Sequence, residues 1–110
     1  MQLLTKLEEL VLVAVLRLGN DAYGISIHNF IVGLTRTRVA MSSVYFPLER
    51  LVRKGFLQAV RGEPTPQRGG MGKRFYRLTG SGRTALQENR AVAEAAWHGV
   101  ADLLDEPSET

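Results

Sequence analysis

The sequence predicts a mainly helical domain that carries one small β-hairpin. Apolar residues recur at three- and four-residue spacing over most of the chain, which is the helical period. Two short strand-like runs flank a segment rich in glycine and proline, as in a long-looped hairpin. The 110 residues, 45% hydrophobic and 23% charged, suit one soluble domain, residues 1–110.

Composition also excludes several classes of protein. The longest apolar run, residues 10–16, is far shorter than the roughly 20 residues that span a bilayer, so no membrane partner is expected. The chain contains no cysteine, which rules out disulfides and thiol catalysis. This composition is consistent with the reducing cytoplasm.

Helix-start and helix-stop residues predict two N-terminal helices. Thr5 and Glu8 have the spacing of a capping box, so the first helix should cover residues 6–18. Its apolar residues lie on more than one face of the helix, and we expect a partner chain to cover some of them. Asp21 is the expected cap of a second helix over residues 22–33.

The middle of the chain predicts a third helix and the hairpin. The helix should begin after Ser42 or Ser43 and end at Gly55, a residue that tolerates left-handed backbone. Residues 56–61 and 73–78 have the composition of two strands. The order of elements is therefore that of a helix-turn-helix followed by a wing.

The end of the chain predicts one long helix. Thr79 should cap a helix over residues 79–104, and residues 105–110 form a frayed tail. The complete prediction is a winged helix-turn-helix core at residues 5–83, with its wing at residues 56–78, and dimerisation helices at both ends of the chain.

Charge is concentrated in the middle of the chain. The net charge is only +3, but residues 36–83 carry eleven Lys or Arg against two acidic residues, a local charge of +9. The rest of the chain carries −6. A basic middle indicates a polyanionic partner for that part, although a solvated face explains the charge equally well.

Catalytic and cofactor chemistry is not supported by the residues. The segment 69–73 lacks the spacing of a phosphate-binding loop, and Arg74 stands where Ser or Thr is required. His28 and His98 are seventy residues apart without a carboxylate cluster, which argues against a metal site. We therefore predict no catalytic residue, no metal and no cofactor.

Six segments give the chain a family likeness. They are Leu-Glu-Glu-Leu-Val-Leu-Val-Ala-Val-Leu (7–16), Asp-Ala-Tyr-Gly-Ile (21–25), Ser-Ser-Val-Tyr (42–45), Leu-Glu-Arg-Leu-Val-Arg-Lys-Gly-Phe-Leu (48–57), Gly-Glu-Pro-Thr-Pro-Gln-Arg-Gly-Gly (62–70) and Lys-Arg-Phe-Tyr-Arg-Leu-Thr-Gly-Ser-Gly-Arg (73–83). On these segments the chain resembles PadR-like transcriptional regulators over residues 3–90. The resemblance implies a dimeric, cytoplasmic DNA-binding regulator, usually a repressor.

The chain departs from the family in its third helix. Members often have Tyr-Pro there, whereas Phe46 follows Tyr45 in this chain and the proline is Pro47. If Ser43 caps the helix, this proline falls in its first turn or just beyond. A tilted helix start would change how individual bases are contacted.

The winged-helix arrangement predicts DNA contacts on the third helix and the wing. A short helix fits the major groove with its N-terminal residues at the base edges. Hydroxyl groups there can bond bases or phosphates, and Phe46 can either contact a thymine methyl or pack between helices. Arg50 can reach DNA, Glu49 or solvent. The predicted DNA-binding residues are Arg38, Ser42, Ser43, Tyr45, Phe46, Arg50, Arg61, Arg68, Lys73 and Arg74. The alternative is an interaction module whose basic face docks an acidic protein.

The last helix predicts a homodimer interface, formed together with the first helix. Leu86, Ala93 and Val100 recur every seven residues, with small residues beside them that suit close helix pairing. The alternative is a helix folded back onto its own domain. Trp97 either anchors the interface or stacks on a planar aromatic effector, as the resemblance to some family members implies. The predicted interface residues are Leu7, Leu10, Val11, Leu86, Ala93, Trp97, Val100 and Leu104.

Overall fold

The computed structural model describes residues 1–62 and 73–107. The predicted class is confirmed, because helices and one antiparallel two-stranded hairpin make up the regular structure in these ranges. None of the helices described is both long and apolar enough to cross a membrane. The elements are α1 Lys6–Leu18, α2 Gly24–Thr35, α3 Met41–Arg53, β1 Leu57–Arg61, β2 Arg74–Leu78, α4 Gly80–Trp97 and α5 Val100–Leu104.

The first helix forms the centre of the hydrophobic core. Val11 and Leu12 are completely buried, because α1 packs against α2, α3, β2 and α4. The capping box predicted at Thr5 and Glu8 is present. The expectation that a partner must cover this helix is wrong for most of its surface. A single chain buries most of the apolar residues in the middle of α1, covers those nearer its ends in part and leaves Leu16 half exposed.

The second helix begins two residues later than predicted. Its N-terminal residue is Gly24, and the preceding Tyr23 is extended and forms an isolated β-bridge with Phe75 of the wing. Asp21 does not cap the helix; its carbonyl accepts a hydrogen bond from the Ser26 hydroxyl. The bridge to the wing holds Tyr23 out of the helical conformation, so a tertiary contact sets this boundary.

The third helix begins at Met41, before both of the serines that we expected to cap it. Ala40 is the N-cap residue, so Ser42 and Ser43 lie in the first turn. Pro47 lies in the second turn and is buried. It has no N–H to donate to the Ser43 carbonyl, yet the helix continues through it to Arg53.

The hairpin closes the core beside α3. Leu57 pairs with Leu78 at its base, and Arg61 pairs with Arg74 at the last described register position. Leu57 and Tyr76 are buried, so one face of the hairpin packs on the helices. The two strands each begin one residue later than predicted. Residues 63–72 of the wing and 108–110 of the tail lie outside the described residues.

The C-terminal helix is interrupted, in contrast to the single helix predicted over residues 79–104. The first part ends at Trp97, and a second short helix begins at Val100. Between them Gly99 has φ 75°, the left-handed conformation that glycine adopts without a steric cost. Leu86 and Ala93 therefore lie on one helix and Val100 on another, so their seven-residue spacing does not form a continuous row along one helix axis.

The far end of α4 and all of α5 extend away from the core. From Arg90 to Glu106 nearly every residue is exposed, whereas Asn89, immediately before this stretch, and Ala85, one turn before Asn89, are buried. The radius of gyration is 16.9 Å, against about 13 Å for a compact chain of this length. The alternative of a helix that packs on its own domain therefore applies to the first half of α4, which includes Ala85 and Leu86, but not to the rest of the predicted helix.

Candidate nucleic-acid interface

The outward face of α3 is the centre of the candidate interface. At about 100° per residue, the face opposite the buried one carries Ser42, Phe46, Glu49 and Arg53. Tyr45 and Phe46 are 50% and 60% exposed, and their rings meet edge to face with centroids 6.2 Å apart. Four buried residues hold α3 on the core: Val44, Pro47, Leu48 and Leu51.

An ion pair holds the wing against α3. Nη1 of Arg74 lies 2.7 Å from Oε1 of Glu49, and the same guanidinium lies over the ring of Tyr76 at 5.4 Å from its centroid. Glu49 is the only acidic residue of α3, and this contact neutralises it. Arg74 was predicted to contact DNA, but the structure gives it a partner within the chain.

A second contact joins the wing to the start of α2. Nζ of Lys73 lies 3.9 Å from the centroid of the Tyr23 ring, a cation–π geometry. The Tyr23 ring in turn meets the Phe75 ring edge to face at 5.7 Å. The predicted DNA contact Lys73 therefore also has a protein partner, and the start of the second wing strand is held on both α2 and α3.

Between the wing and the two helices lies a groove of about 310 Å³. Its walls include the exposed apolar side chains of Ile25 and Met41, beside Tyr45 and the two wing cations. Sequence reasoning missed Ile25 and Met41, because neither was singled out in the helical pattern of apolar residues. Their position in the first turn of a helix could have indicated this exposure, because a side chain there can remain outside the core.

Arg50 faces α1 rather than the outward side of α3. Its Nε lies 3.6 Å from Oε2 of Glu8, and Nζ of Lys54 lies 3.0 Å from the same oxygen. Burial raises the pKa of Glu8, but the hydrogen bond from the Thr5 N–H and the two cations outweigh it and hold that pKa below its ordinary value. The Arg50 side chain thus ties α3 to α1, a role not foreseen from the sequence.

The remaining predicted DNA contacts lie around the edge of this face. Arg38, in the segment that leads into α3, and Arg61, at the end of β1, are both exposed. Nε2 of His28 donates to the Val39 carbonyl and fixes that leading segment to α2. Arg68 lies outside the described residues.

The predicted dimer residues of α1 belong to the core of the single chain. Val11 is completely buried there, so its assignment to an interface is wrong: a partner chain has no surface of it to contact. Leu7 and Leu10 are partly buried against the same core, and so is Leu86 of α4. Their burial within one chain explains the apolar pattern that suggested a partner.

The predicted dimer residues nearer the C-terminus are more accessible. Trp97 is 57% exposed and Leu104 is 65% exposed, while Ala93 and Val100 are partly exposed. They lie on the part of the chain that extends from the core. Apolar side chains in such a position form a surface that another chain can cover.

The N-terminal segment adds to this surface, a feature that the sequence did not suggest. Asn89 is buried and binds the segment on both sides: Oδ1 accepts from the Leu4 N–H at 2.9 Å, and Nδ2 donates to the Gln2 carbonyl at 3.0 Å. These bonds place the first residues of the chain along α4. Leu3 and Val92 remain 72% and 44% exposed.

Solved structures with this fold come from bacteria and an archaeon. The chain is similar to a PadR-like transcriptional regulator from Bacillus cereus, with a TM-score of 0.75 and 20% identity over 92% of this chain and 93% of that one. A putative transcriptional regulator from Thermoplasma acidophilum gives a TM-score of 0.70 and 18% identity over 90% and 93% of the two chains. A PadR-like transcription factor from Bacteroides fragilis gives 0.61 and 27% identity over 90% and 86%.

Comparison at the level of sequence identifies the family. A search among curated proteins finds no match. The family model described as the transcriptional regulator PadR-like family matches residues 11–88, which include most of α1, the wing and the first half of α4. More than half of the chain is covered, with the predicted interface inside the match. The chain therefore belongs to the PadR-like family of transcriptional regulators.

Proposed function

We propose that this regulator binds double-stranded DNA with α3 in the major groove and the wing beside it. The observation that carries the proposal is the outward face of α3, where Ser42 and Phe46 are exposed in the first two turns and basic residues surround them. Thirteen helical residues span about 20 Å, a length that the major groove accommodates. Ser43 and Tyr45, at the edges of this face, are suited to phosphate contacts.

We assign the phosphate contacts to the exposed arginine and lysine side chains around that face. Arg38 lies in the segment that leads into α3, and Arg61 lies at the end of the first wing strand. We include Arg68 among the phosphate contacts on the basis of the sequence. Lys73 and Arg74 contribute charge close to the duplex while they hold the wing in place through Tyr23 and Glu49. Arg50 is removed from the contact set, because its partner is Glu8.

The salt dependence of DNA binding tests this proposal. A preferred duplex is first selected from genomic fragments, and its affinity is measured by fluorescence anisotropy at several salt concentrations. Each neutralised phosphate contributes about −0.9 to the slope of log K against log salt. Arg61→Ala and Arg38→Ala should each make the slope shallower by about one, because each variant neutralises one phosphate fewer.

Arg90→Ala is the matched control. Arg90 is exposed and pairs with Glu94 on α4, away from α3 and the wing, so its removal should leave the slope unchanged. A shallow slope for the unaltered protein would contradict the proposal. Fragments without any enriched motif would instead support an acidic protein as the partner of the basic face.

We further propose a homodimer that represses transcription from a pseudo-palindromic operator. The support for a dimer is the set of exposed apolar residues Leu3, Val92, Trp97 and Leu104, which belong to the N-terminal segment, α4 and α5 and not to α3. Two copies of α3 would then contact half-sites about 34–36 Å apart, or a multiple of that spacing. Protection of two such half-sites from cleavage by hydroxyl radicals is the expected footprint.

Trp97 is proposed to pack against the partner chain rather than to bind an effector. Its ring is 57% exposed in the single chain and lies among the small residues Ala93 and Ala96, which favour close helix packing. A planar aromatic effector is the competing occupant. Because Trp97 is the only tryptophan, titration with planar aromatic compounds should leave its fluorescence unchanged, and saturable quenching would favour the effector.

A further inference from the structure

The first two turns of α3 carry no charged side chain. Residues 41–48 are Met-Ser-Ser-Val-Tyr-Phe-Pro-Leu. Guanine is specified mainly by Arg or Lys and adenine by Asn or Gln, each through two hydrogen bonds in the major groove. None of these four residue types occurs in these turns. The part of the helix closest to the bases in the proposed complex therefore offers only hydroxyl groups and apolar carbon.

The next polar residue along this face is already held in an ion pair. Glu49 lies one turn after Phe46 and could accept a hydrogen bond from a cytosine amino group. Its Oε1, however, is 2.7 Å from Nη1 of Arg74, and the pair joins the wing to α3. A cytosine contact would have to use the remaining acceptor positions of a carboxylate that the ion pair already holds against the wing.

Phe46 is the largest apolar group in the middle of the outward face. It is 60% exposed, and its ring meets the Tyr45 ring edge to face with the centroids 6.2 Å apart. Ser42, one turn earlier on the same face, leaves space beside the ring because its side chain is small. In the major groove, the apolar group that a phenyl ring can contact is the C5 methyl of thymine.

We propose that Phe46 is a specificity-determining residue that recognises one thymine methyl in each half-site. This inference depends on the proposed function, since it assumes that α3 enters the major groove. It predicts an operator in which a T·A pair faces the second turn of α3. Discrimination there comes from burial of the methyl group and not from hydrogen bonds to the bases.

Replacement of single thymines by deoxyuridine in the preferred duplex tests the inference, because it removes the methyl and leaves all hydrogen-bonding groups. Each half-site should contain one thymine at which the substitution, made in that half-site alone, weakens binding about four-fold, the effect of one buried methyl group. The same substitution in both half-sites should weaken binding about fifteen-fold, as two such effects multiply. Other thymines should be insensitive.

The variant F46A should bind the thymine and deoxyuridine duplexes with equal affinity. Y45F is the matched control: it alters the neighbouring ring without removing it and should keep the four-fold preference for thymine, which reflects one buried methyl group. Circular dichroism of both variants checks that α3 remains folded. Persistent discrimination by F46A, or no methyl-sensitive thymine at all, would overturn the inference.

The two proposals fail in different ways. Sequence-specific binding that is indifferent to every thymine methyl would overturn the role of Phe46 and leave the DNA-binding function in place. Absence of any sequence-specific binding would overturn both. Because the first measurement changes only the DNA, it does not depend on the stability of a variant protein.

Discussion

At the scale of single residues, Glu8 connects two parts of the fold. Its Oε1 accepts the Thr5 N–H in the capping box of α1, while Oε2 meets Lys54 and Arg50 of the third helix region. Only 2% of Glu8 is exposed. The capping role follows from the local Thr-x-x-Glu spacing, but the ion pairs depend on a helix that begins more than thirty residues later. One carboxylate therefore sets both the start of α1 and the position of α3.

The variant Glu8→Gln should lower the free energy of unfolding by about 1–2 kcal/mol, because it removes charge-assisted hydrogen bonds. Glutamine can still accept the cap hydrogen bond, so the start of α1 is preserved. The destabilisation stays below that of a fully buried ion pair, since Lys54 and Arg50 are about a third to two-fifths exposed. Urea denaturation at neutral pH measures the effect.

Glu9→Gln is the control for Glu8→Gln. Glu9 also lies in the first turn of α1 but is only partly buried, so its substitution should change stability by less than about 0.5 kcal/mol. Equal destabilisation by the two variants would show that the ion pairs to α3 contribute nothing.

The contribution of Glu8 should depend on pH in a defined direction. The folded state lowers the pKa of Glu8 below its ordinary value of 4.5, so the unfolded chain takes up the proton first. The stabilisation is therefore complete above pH 4.5 and is lost as the pH falls through the lowered folded-state pKa. We expect the difference in unfolding free energy between the unaltered chain and Glu8→Gln to shrink on acidification. A difference that stays constant would contradict this assignment.

At the scale of elements, the first turn of α4 lies close to the wing. The Thr79 side chain caps α4 by accepting from the Gly82 N–H, and its hydroxyl donates to the Gly55 carbonyl. A Cβ on Gly82 would overlap the Phe56 carbonyl and crowd Leu78. The glycine thus allows the first turn of α4 to lie directly on the base of the hairpin.

Gly82→Ala should destabilise the fold by about 1–3 kcal/mol, the usual cost of added volume at a packed position. Gly80→Ala is a matched control in the same helical turn, where an added Cβ meets nothing within 4 Å. There alanine should be neutral or stabilise by up to about 1 kcal/mol through its higher helix propensity. Thermal unfolding compares the two, and equal melting temperatures would contradict the close approach of α4 to Phe56.

Element boundaries show where local sequence stops being informative. The start of α1 and the cap of α4 follow from residues within one turn of each helix end, and both were predicted correctly. The start of α2 was not, because Tyr23 is held by its bridge to Phe75, fifty-two residues away. The break at Gly99 was missed for another reason: a glycine inside a heptad pattern is compatible with a continuous helix as well as with a turn.

At the scale of the whole molecule, the separation of two surfaces is the main feature. The outward face of α3 and the wing carry exposed basic residues and aromatic rings, whereas the far end of α4 and α5 carry exposed apolar residues. The molecule measures 62 × 30 × 20 Å; α3 packs on α1, α2 and β1, whereas α4 contacts α1, β2 and α5. Such an arrangement suits a chain that binds one partner through each surface.

Trp97→Lys should convert the proposed dimer into a monomer. A buried charge without a partner is costly at an apolar interface, so the association should weaken at least about a hundred-fold. Leu34→Lys is the matched control, because Leu34 has the same 57% exposure but lies at the end of α2. Light scattering should give twice 12.2 kDa for the unaltered chain and for Leu34→Lys. A mass of 12.2 kDa for the unaltered chain at micromolar concentration would refute the dimer.

The sequence by itself determined the order of elements, their approximate bounds and the basic character of the middle of the chain. These properties depend on residues close together in the chain, through helix caps, turn residues and hydrophobic spacing. Tertiary structure alone decided which residues are available to a partner. Burial depends on packing between distant segments, and so Val11 lies in the core, Arg50 pairs with Glu8, and Arg74 holds Glu49 while Phe46 remains exposed on α3.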